Sequence, residues 1–213
     1  MFTRKGIVFF CTLALGACAH GSAGSGPNPG SVKETRAMTT AAETGEAGDD
    51  SGSIHPRLDA EQVLLRLLEL IRSSKSVEDF TQEHMKKIMG VDFPIHAPGR
   101  YGFGEQLTSD WWYGMEMRNK VTHGARFSFS FNSAPGSSPP MTDICQVDFD
   151  RFTAELEVMG FARQRYHGEH GRFIMDWFDH PGGMRIEVYP RGEHDWTADR
   201  GSGRTCAKMV LIP

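Results

Sequence analysis

The sequence of residues 57–213 predicts a single α+β domain, with helices packed on an antiparallel sheet in the order α-α-β-β-α-β-β-β. Two hydrophobic periods predict this class. Apolar residues recur every three or four positions over 59–90 and 148–160, as in amphipathic helices. In Phe127, Phe129 and Phe131 they alternate with serines, as in a strand with one buried face.

Local signals bound each helix. The three helices are expected over residues 59–73, from Ser76 or Thr81 to Met89, and over 148–159. Asp59 and Gln62 have the spacing of a capping box, which places a helix start at Asp59. Gly90 and Gly160 follow the second and third helices, where glycine favours the left-handed C-cap conformation.

Five strands are expected from alternation. They cover residues 110–117, 126–132, 172–179, 184–189 and 206–212. In the first strand Trp111 and Tyr113 share one face, whereas Trp112 lies on the other. The His180–Gly183 segment provides the turn between the third and fourth strands.

The two halves share a weak pattern, which suggests a two-fold repeat. Phe80-Thr81-Gln82-Glu83 leads to Met89-Gly90, Phe152-Thr153-Ala154-Glu155 leads to Met159-Gly160, and both precede strands. A helix with Thr near its start and Gly at its end, followed by a meander, resembles the β-lactamase-inhibitor-like fold of small outer-membrane-assembly lipoproteins. Residues 81–131 carry most of this similarity. The alternative is a coincidence of common helix signals.

The first eighteen residues contain a basic start, a short apolar run and the sequence Leu15-Gly16-Ala17-Cys18. They resemble the signal peptide and lipobox of bacterial lipoproteins. The resemblance implies a signal peptide over 1–17, acylation of Cys18, and, because Ala19 follows, an outer-membrane lipid anchor with the body facing the periplasm. The alternatives are an ordinary secretory signal or a buried strand; the run is too short to span a bilayer.

Residues 18–56 have the composition of a lipidated, disordered tether. They are rich in Gly, Ser, Ala, Thr and Pro and contain no aromatic residue. Such a segment buries too little apolar area to offset its ordering entropy. A flexible chain of this length reaches roughly 35 Å.

Charge and cysteine content restrict the partners. The formal net charge is −4, and removal of Arg4 and Lys5 with the signal leaves −6, which makes nucleic acid an unfavourable partner. Cys11 lies in the signal and Cys18 carries the lipid, which leaves Cys145 and Cys206. In an oxidising compartment these two are expected to form a disulfide, the alternatives being free thiols or a metal site.

Histidine-rich segments are the strongest candidates for chemistry. His167-Gly168-Glu169-His170, His180 and Gly192-Glu193-His194-Asp195 offer imidazole and carboxylate groups that can bind zinc. Their glycines are also typical of loops, so we expect exposed loop histidines, with no metal, cofactor or catalytic residue. The sequence lacks the HExxH, GxSxG and Gly-rich phosphate-loop motifs. A metal-dependent hydrolase that uses the histidine loops is the alternative.

Trp112 is the candidate partner-binding residue, because it lies on the strand face opposite Trp111. The alternative is that a helix covers it. The sequence therefore predicts a non-enzymatic protein-binding module held at the membrane by lipid. An inhibitor or immunity-type lipoprotein against an envelope-acting hydrolase or toxin fits the acidic surplus, which would attract a basic partner. A scaffold subunit of outer-membrane assembly is the alternative.

Overall fold

The structure, a computed structural model, describes residues 54–121, 124–194 and 203–213. These residues form three α-helices and one eight-stranded antiparallel sheet, which confirms the predicted α+β class. The predicted signal peptide, Cys18 and nearly all of the predicted tether lie outside the described residues. Within the described ranges, no helix has the length and apolar character needed to cross a membrane.

The sheet contains most of the ordered elements. The helices are α1 (Ala60–Arg72), α2 (Gln82–Met89) and α3 (Phe149–Val158). The strands are β1 (Ile95–Ala97), β2 (Arg100–Gln106), β3 (Trp111–Val121), β4 (Gly124–Ser133), β5 (Ala162–His167), β6 (Phe173–Asp179), β7 (Arg185–Gly192) and β8 (Thr205–Ile212).

The helix starts follow the predicted caps. The Asp59 carboxylate accepts a hydrogen bond from the Gln62 backbone N–H in a complete capping box. The Thr81 hydroxyl caps α2, and Gly90 ends this helix with a φ of 70°. Ser76 instead precedes a short 3-10 turn, so the second α-helix begins after Thr81.

The predicted element order was wrong, because three strands were missing from it. β1 is too short for its alternation to be recognised. β2 has glycine at two of its seven positions, Gly102 and Gly104, which weakens its alternation as a strand signal. β5 is an edge strand whose polar residues give no apolar alternation.

The strand order is β1-β2-β3-β4-β8-β7-β6-β5. Four strands follow α2 and four follow α3, and the last strand of each set lies at the centre of the sheet. β4 and β8 pair there in antiparallel register, with Phe127 opposite Ile212 and Phe129 opposite Val210. One continuous sheet therefore joins the two halves of the domain.

The helices pack on one face of this sheet. Phe80, between α1 and α2, contacts this face together with Tyr101 of β2. The Phe80 and Phe127 rings lie 5.1 Å apart, and the Tyr101 hydroxyl donates to the Phe80 carbonyl oxygen at 2.5 Å. The largest fully buried apolar side chains are Trp111, Tyr113, Phe80, Phe93, Phe127, Phe129, Phe131, Phe149, Phe152, Phe178 and Leu64. This face is the core of the domain.

The disulfide between Cys145 and Cys206 is confirmed. Their Cα atoms are 5.4 Å apart and they are separated by 61 residues. The bond attaches the segment that precedes α3 to the start of β8, and Asp148, the N-cap of α3, forms an isolated bridge with Cys206. The disulfide therefore fixes the third helix against the sheet.

A buried ion cluster lies at the β5 edge, on the helix-covered face. The Asp176 carboxylate is fully buried, with Arg163 Nη2 at 2.5 Å from Oδ2 and Arg165 Nε at 3.1 Å from Oδ1. The two arginines come from β5 and the carboxylate from β6. A buried carboxylate requires such partners, because desolvation disfavours its charged form.

Candidate functional site

The second face of the sheet has no helix over it among the described residues, and we call it the open face. Its side chains form rows across neighbouring strands. One row contains Gly102, Glu116, Ser128, Leu211, Glu187, Trp177 and Gln164. The next row contains Gly104, Gly114, Ser130, Met209 and Tyr189. Apart from Glu116, the residues of both rows are small on β2 to β4, whereas those on β8 to β5 are large.

The small-residue half, over β2 to β4, forms a cleft of about 310 Å³. A Cβ atom on Gly102 would lie 2.5 Å from the Met115 carbonyl oxygen, so this position requires glycine. Gly114 differs, since the nearest atom to a Cβ there is Asn132 Nδ2 at 3.9 Å. A side chain at position 114 would therefore enter the cleft without disturbing the sheet.

The large-residue half forms a raised surface that we call the ridge. It consists of Leu211, Met209, Tyr189, Trp177 and Tyr166. Tyr166 and Trp177 stack with ring centroids 5.8 Å apart, and Tyr166 is 43 % exposed. The Arg185 guanidinium lies 5.6 Å from the Trp177 ring and pairs with Asp179 at 2.7 Å. The ridge thus exposes aromatic and aliphatic surface.

A glutamate and a tyrosine border the ridge. The Tyr189 hydroxyl donates to Glu187 Oε2 at 2.8 Å. Burial, together with this hydrogen bond and the Glu187 charge, raises the pKa of Tyr189 to about 12. The phenol therefore stays protonated at neutral pH and directs the carboxylate of Glu187 along the open face.

Three arginines lie directly opposite one another at the end of the cleft, and we call them the arginine row. Arg100 of β2 faces Arg118 of β3, which faces Arg126 of β4. Glu116 accepts from Arg100 Nε at 2.6 Å and from Arg118 Nε. Burial opposes ionisation of Glu116, but the hydrogen bonds from Arg118 and Arg100 outweigh it and lower its pKa.

Trp111 and Trp112 occupy opposite faces, as alternation predicts. Trp111 is buried and its indole N–H donates to the Pro140 carbonyl oxygen at 3.0 Å. Trp112 is half-buried on the open face, between Gln106 and Asn132 of the neighbouring strands. It lies beside the cleft, on the side away from the three helices.

Trp111 also covers a part-buried cation, Lys208. Lys208 Nζ lies 5.3 Å from the Trp111 ring and donates to the Phe131 carbonyl oxygen. Burial, with a contribution from the Arg191 charge, lowers the pKa of Lys208 to about 8. Arg191 lies 5.1 Å from the same ring and donates to the Pro139 carbonyl oxygen at 2.8 Å.

The structure does not gather the histidine segments into one site. The ring centroids of His167 and Phe173 are 5.9 Å apart, and those of His180 and Phe161 are 4.9 Å apart. His194 lies 3.8 Å from Glu193, whereas Asp195 is outside the described residues. Across residues 54–121, 124–194 and 203–213, no three His, Cys, Asp or Glu side chains lie close enough to hold a metal.

Comparisons of the chain with protein-family models, with curated proteins and with solved structures found no match.

Alternation predicts the face on which Trp112 lies, but the cleft, the ridge and the arginine row were not predicted from the sequence, and the role of Trp112 in partner binding stays a prediction. Tyr101-Gly102-Phe103-Gly104 alternates large and small residues, and this signal predicts a strand with one bare face. The ridge and the arginine row depend on pairing between strands that are distant in sequence, so no local pattern indicates them.

Proposed function

We propose that the chain is a lipid-anchored, non-enzymatic protein-binding module that holds its partner on the ridge. We assign it to the inhibitor or immunity type, directed against an envelope-acting hydrolase or toxin. The observation that carries the proposal is the uncovered ridge, where Trp177, Tyr166 and Tyr189 lie beside Met209 and Leu211. Tyr166 is exposed and the other four residues are half-buried. Partly exposed aromatic clusters of this kind favour protein contacts, because they bury large apolar areas with few rotamers lost.

Overall charge supports a basic partner. The chain without its signal has a formal charge of −6, which attracts a cationic protein at long range. The charged groups near the ridge include Glu187, which accepts from Tyr189, the Arg185–Asp179 pair, and Arg126, whose charge acts on Tyr189. We expect the overall charge to set the association rate and the apolar ridge to set the dissociation rate.

The order of elements supports the β-lactamase-inhibitor-like architecture and its two-fold repeat. One helix followed by four antiparallel strands occurs twice, and the two sets meet at β4 and β8. We propose that the halves correspond through this arrangement. The cleft and the ridge then lie on corresponding strands, and their different side chains distinguish the two halves.

The lipobox supports the proposed location at the periplasmic face of the outer membrane. A chain acylated at Cys18 would keep the body near the bilayer, while residues 18–56 allow it to reach a partner. Two or more acyl chains anchor stably, whereas one alone binds reversibly.

Capture from periplasm tests the proposal, with ridge variants compared against a matched apolar change elsewhere. The full-length protein should capture one basic hydrolase or toxin and should reduce its activity on purified substrate. Tyr166→Ala and Trp177→Ala should each weaken this complex about tenfold or more. Val158→Ala is the control, because Val158 is 82 % exposed on α3, which packs on the other face.

Two outcomes would replace the proposal. Capture of outer-membrane-assembly proteins alone would favour the scaffold function. Hydrolysis by the purified protein, lost on chelation and restored by zinc, would favour the metal-dependent hydrolase. Equal weakening by Val158→Ala and the ridge variants would show that the partner does not bind the ridge.

A further inference from the structure

The arginine row is an unbalanced group of charges on the open face. Three guanidinium groups lie on adjacent strands, and only Arg100 and Arg118 pair with the single carboxylate of Glu116, so the three arginines exceed the one carboxylate of the row by two formal charges. Like charges directly opposite each other on neighbouring strands destabilise a sheet. A bound anion would remove this repulsion.

Arg126 is the least satisfied member of the row. Glu116 binds Arg100 through Oε2 and Arg118 through Oε1, so both of its oxygens are already occupied. Among the residues that the structure describes, Arg126 makes no ion pair. Its guanidinium, with the free N–H groups of Arg118, forms a pair of donors on adjacent strands, roughly 5 Å apart at the backbone.

The cleft begins next to this row and has a different character. Its lining includes Gly102 and Gly114, the hydroxyls of Ser128 and Ser130, His96, and Glu116, whose carboxylate is paired with Arg100 and Arg118. The Ser128 hydroxyl and the bare backbone suit a polar, uncharged ring, because burial without a hydrogen-bond partner is unfavourable for a polar group. The Ser130 hydroxyl already bonds the Asn132 side chain. The site therefore combines a dianion position at Arg118 and Arg126 with a polar position over Gly114, beside the arginine-paired carboxylate of Glu116.

We propose that the arginine row and the cleft bind a phosphate monoester carried on a sugar. The phosphate would occupy the position between Arg118 and Arg126, and the sugar ring would lie over Gly114. At neutral pH a phosphate monoester carries a charge between about −1.5 and −2, which matches the surplus of the row. Guanidinium groups bind phosphate oxygens with paired, charge-assisted hydrogen bonds.

Calorimetric titration of the full-length protein tests the assignment, with glucose 6-phosphate, glucose and inorganic phosphate as probes. Glucose 6-phosphate should bind most tightly. Arg126→Gln should weaken both phosphate-containing probes about tenfold, because it removes one charged donor. Arg185→Gln, on the same face but already paired with Asp179, should leave binding unchanged.

Gly114→Gln separates the two parts of the site. It should weaken glucose 6-phosphate and leave inorganic phosphate unaffected, since the new side chain fills the cleft but not the arginine row. No binding of glucose 6-phosphate, or equal losses from Arg126→Gln and Arg185→Gln, would overturn the proposal. Equal affinity for inorganic phosphate and glucose 6-phosphate would overturn the sugar assignment.

A vesicle-binding experiment distinguishes a lipid headgroup from a free sugar phosphate as the ligand. Phosphatidylcholine vesicles containing lipid A, which carries phosphate monoesters on glucosamine, are compared with phosphatidylcholine alone, after Cys18→Ser has removed the anchor. Recruitment that Arg126→Gln abolishes indicates a lipid headgroup, whereas binding of glucose 6-phosphate without recruitment indicates a free sugar phosphate. The ridge variants Tyr166→Ala and Trp177→Ala should not alter either result, so this test is independent of the proposed protein partner.

Discussion

Trp111 and Trp112 are adjacent in the chain, yet the first is buried on the helix-covered face and the second is half-buried on the open face. Trp111 also accepts two cations on its ring, from Lys208 at 5.3 Å and from Arg191 at 5.1 Å. One dipeptide therefore contributes to the core and to the candidate binding surface.

Alanine substitution should separate these two contributions. We expect Trp111→Ala to lower the free energy of unfolding by about 3–5 kcal/mol, because it leaves a large cavity. Trp112→Ala should change stability by less than about 1 kcal/mol, as is usual for a side chain outside the core. Urea unfolding of both variants measures the difference; equal destabilisation would contradict the assignment of faces.

Lys208 should make stability depend on pH. Its pKa is about 8 in the folded chain, whereas the pKa of a lysine in an unfolded chain is about 10.4. Between these values the unfolded chain binds more protons, so the free energy of unfolding should rise as pH increases from 8 towards 10.

Tyr189 acts in the opposite direction at higher pH. Its pKa of about 12 means that the unfolded phenol loses its proton first, so stability falls as pH rises above ~10. Urea unfolding at several pH values should therefore show a maximum near pH 10. Lys208→Met should remove the rise but keep the fall, and an unchanged rise in this variant would assign it to another group.

The disulfide should contribute strongly to stability, because it closes a 61-residue separation. The chain-entropy relation gives about 4 kcal/mol for such a loop. We expect Cys145→Ser with Cys206→Ser to lower Tm by roughly 10 °C, measured by calorimetry. Mass spectrometry of the unreduced parent should recover one linked peptide pair, and two free thiols in the exported protein would refute the bond.

The lipobox makes a separate prediction about location. Cys18→Ser should abolish acyl labelling and leave the protein soluble or as an uncleaved precursor, since the sulfur that we propose to be acylated is absent. Membrane fractionation after labelling with a palmitate analogue measures this. Normal labelling of Cys18→Ser would exclude the lipoprotein assignment, whereas Cys11→Ser should label as the parent does.

Local chemistry made part of the fold predictable. Asp59 and Gln62 carry their capping signal within four residues, and the position of Gly90 after an apolar stripe is equally local. The disulfide followed from elimination, since two of the four cysteines had other assignments. These features need no knowledge of the strand order.

The clusters on the open face could be predicted only with knowledge of the register between strands. Arg100, Arg118 and Arg126 are eighteen and eight residues apart in sequence, and only the pairing of β2, β3 and β4 aligns them. Similarly, the sequence around Tyr166 is polar and does not indicate a binding residue. Only the pairing of β5 with β6 shows that Tyr166 stacks on Trp177. Long-range pairing, rather than periodicity, therefore determines the candidate sites.

The buried Asp176 cluster has a consequence for self-association. Exposed edge strands are templates for aggregation, and inward-pointing charges are one of the devices that oppose it. Arg163 and Arg165 place such charges along β5, while the opposite edge, β1, has only three residues. A second chain that added to either edge would find a short or charged template. The sheet can thus keep a whole face available for ligands without extending sideways into fibres.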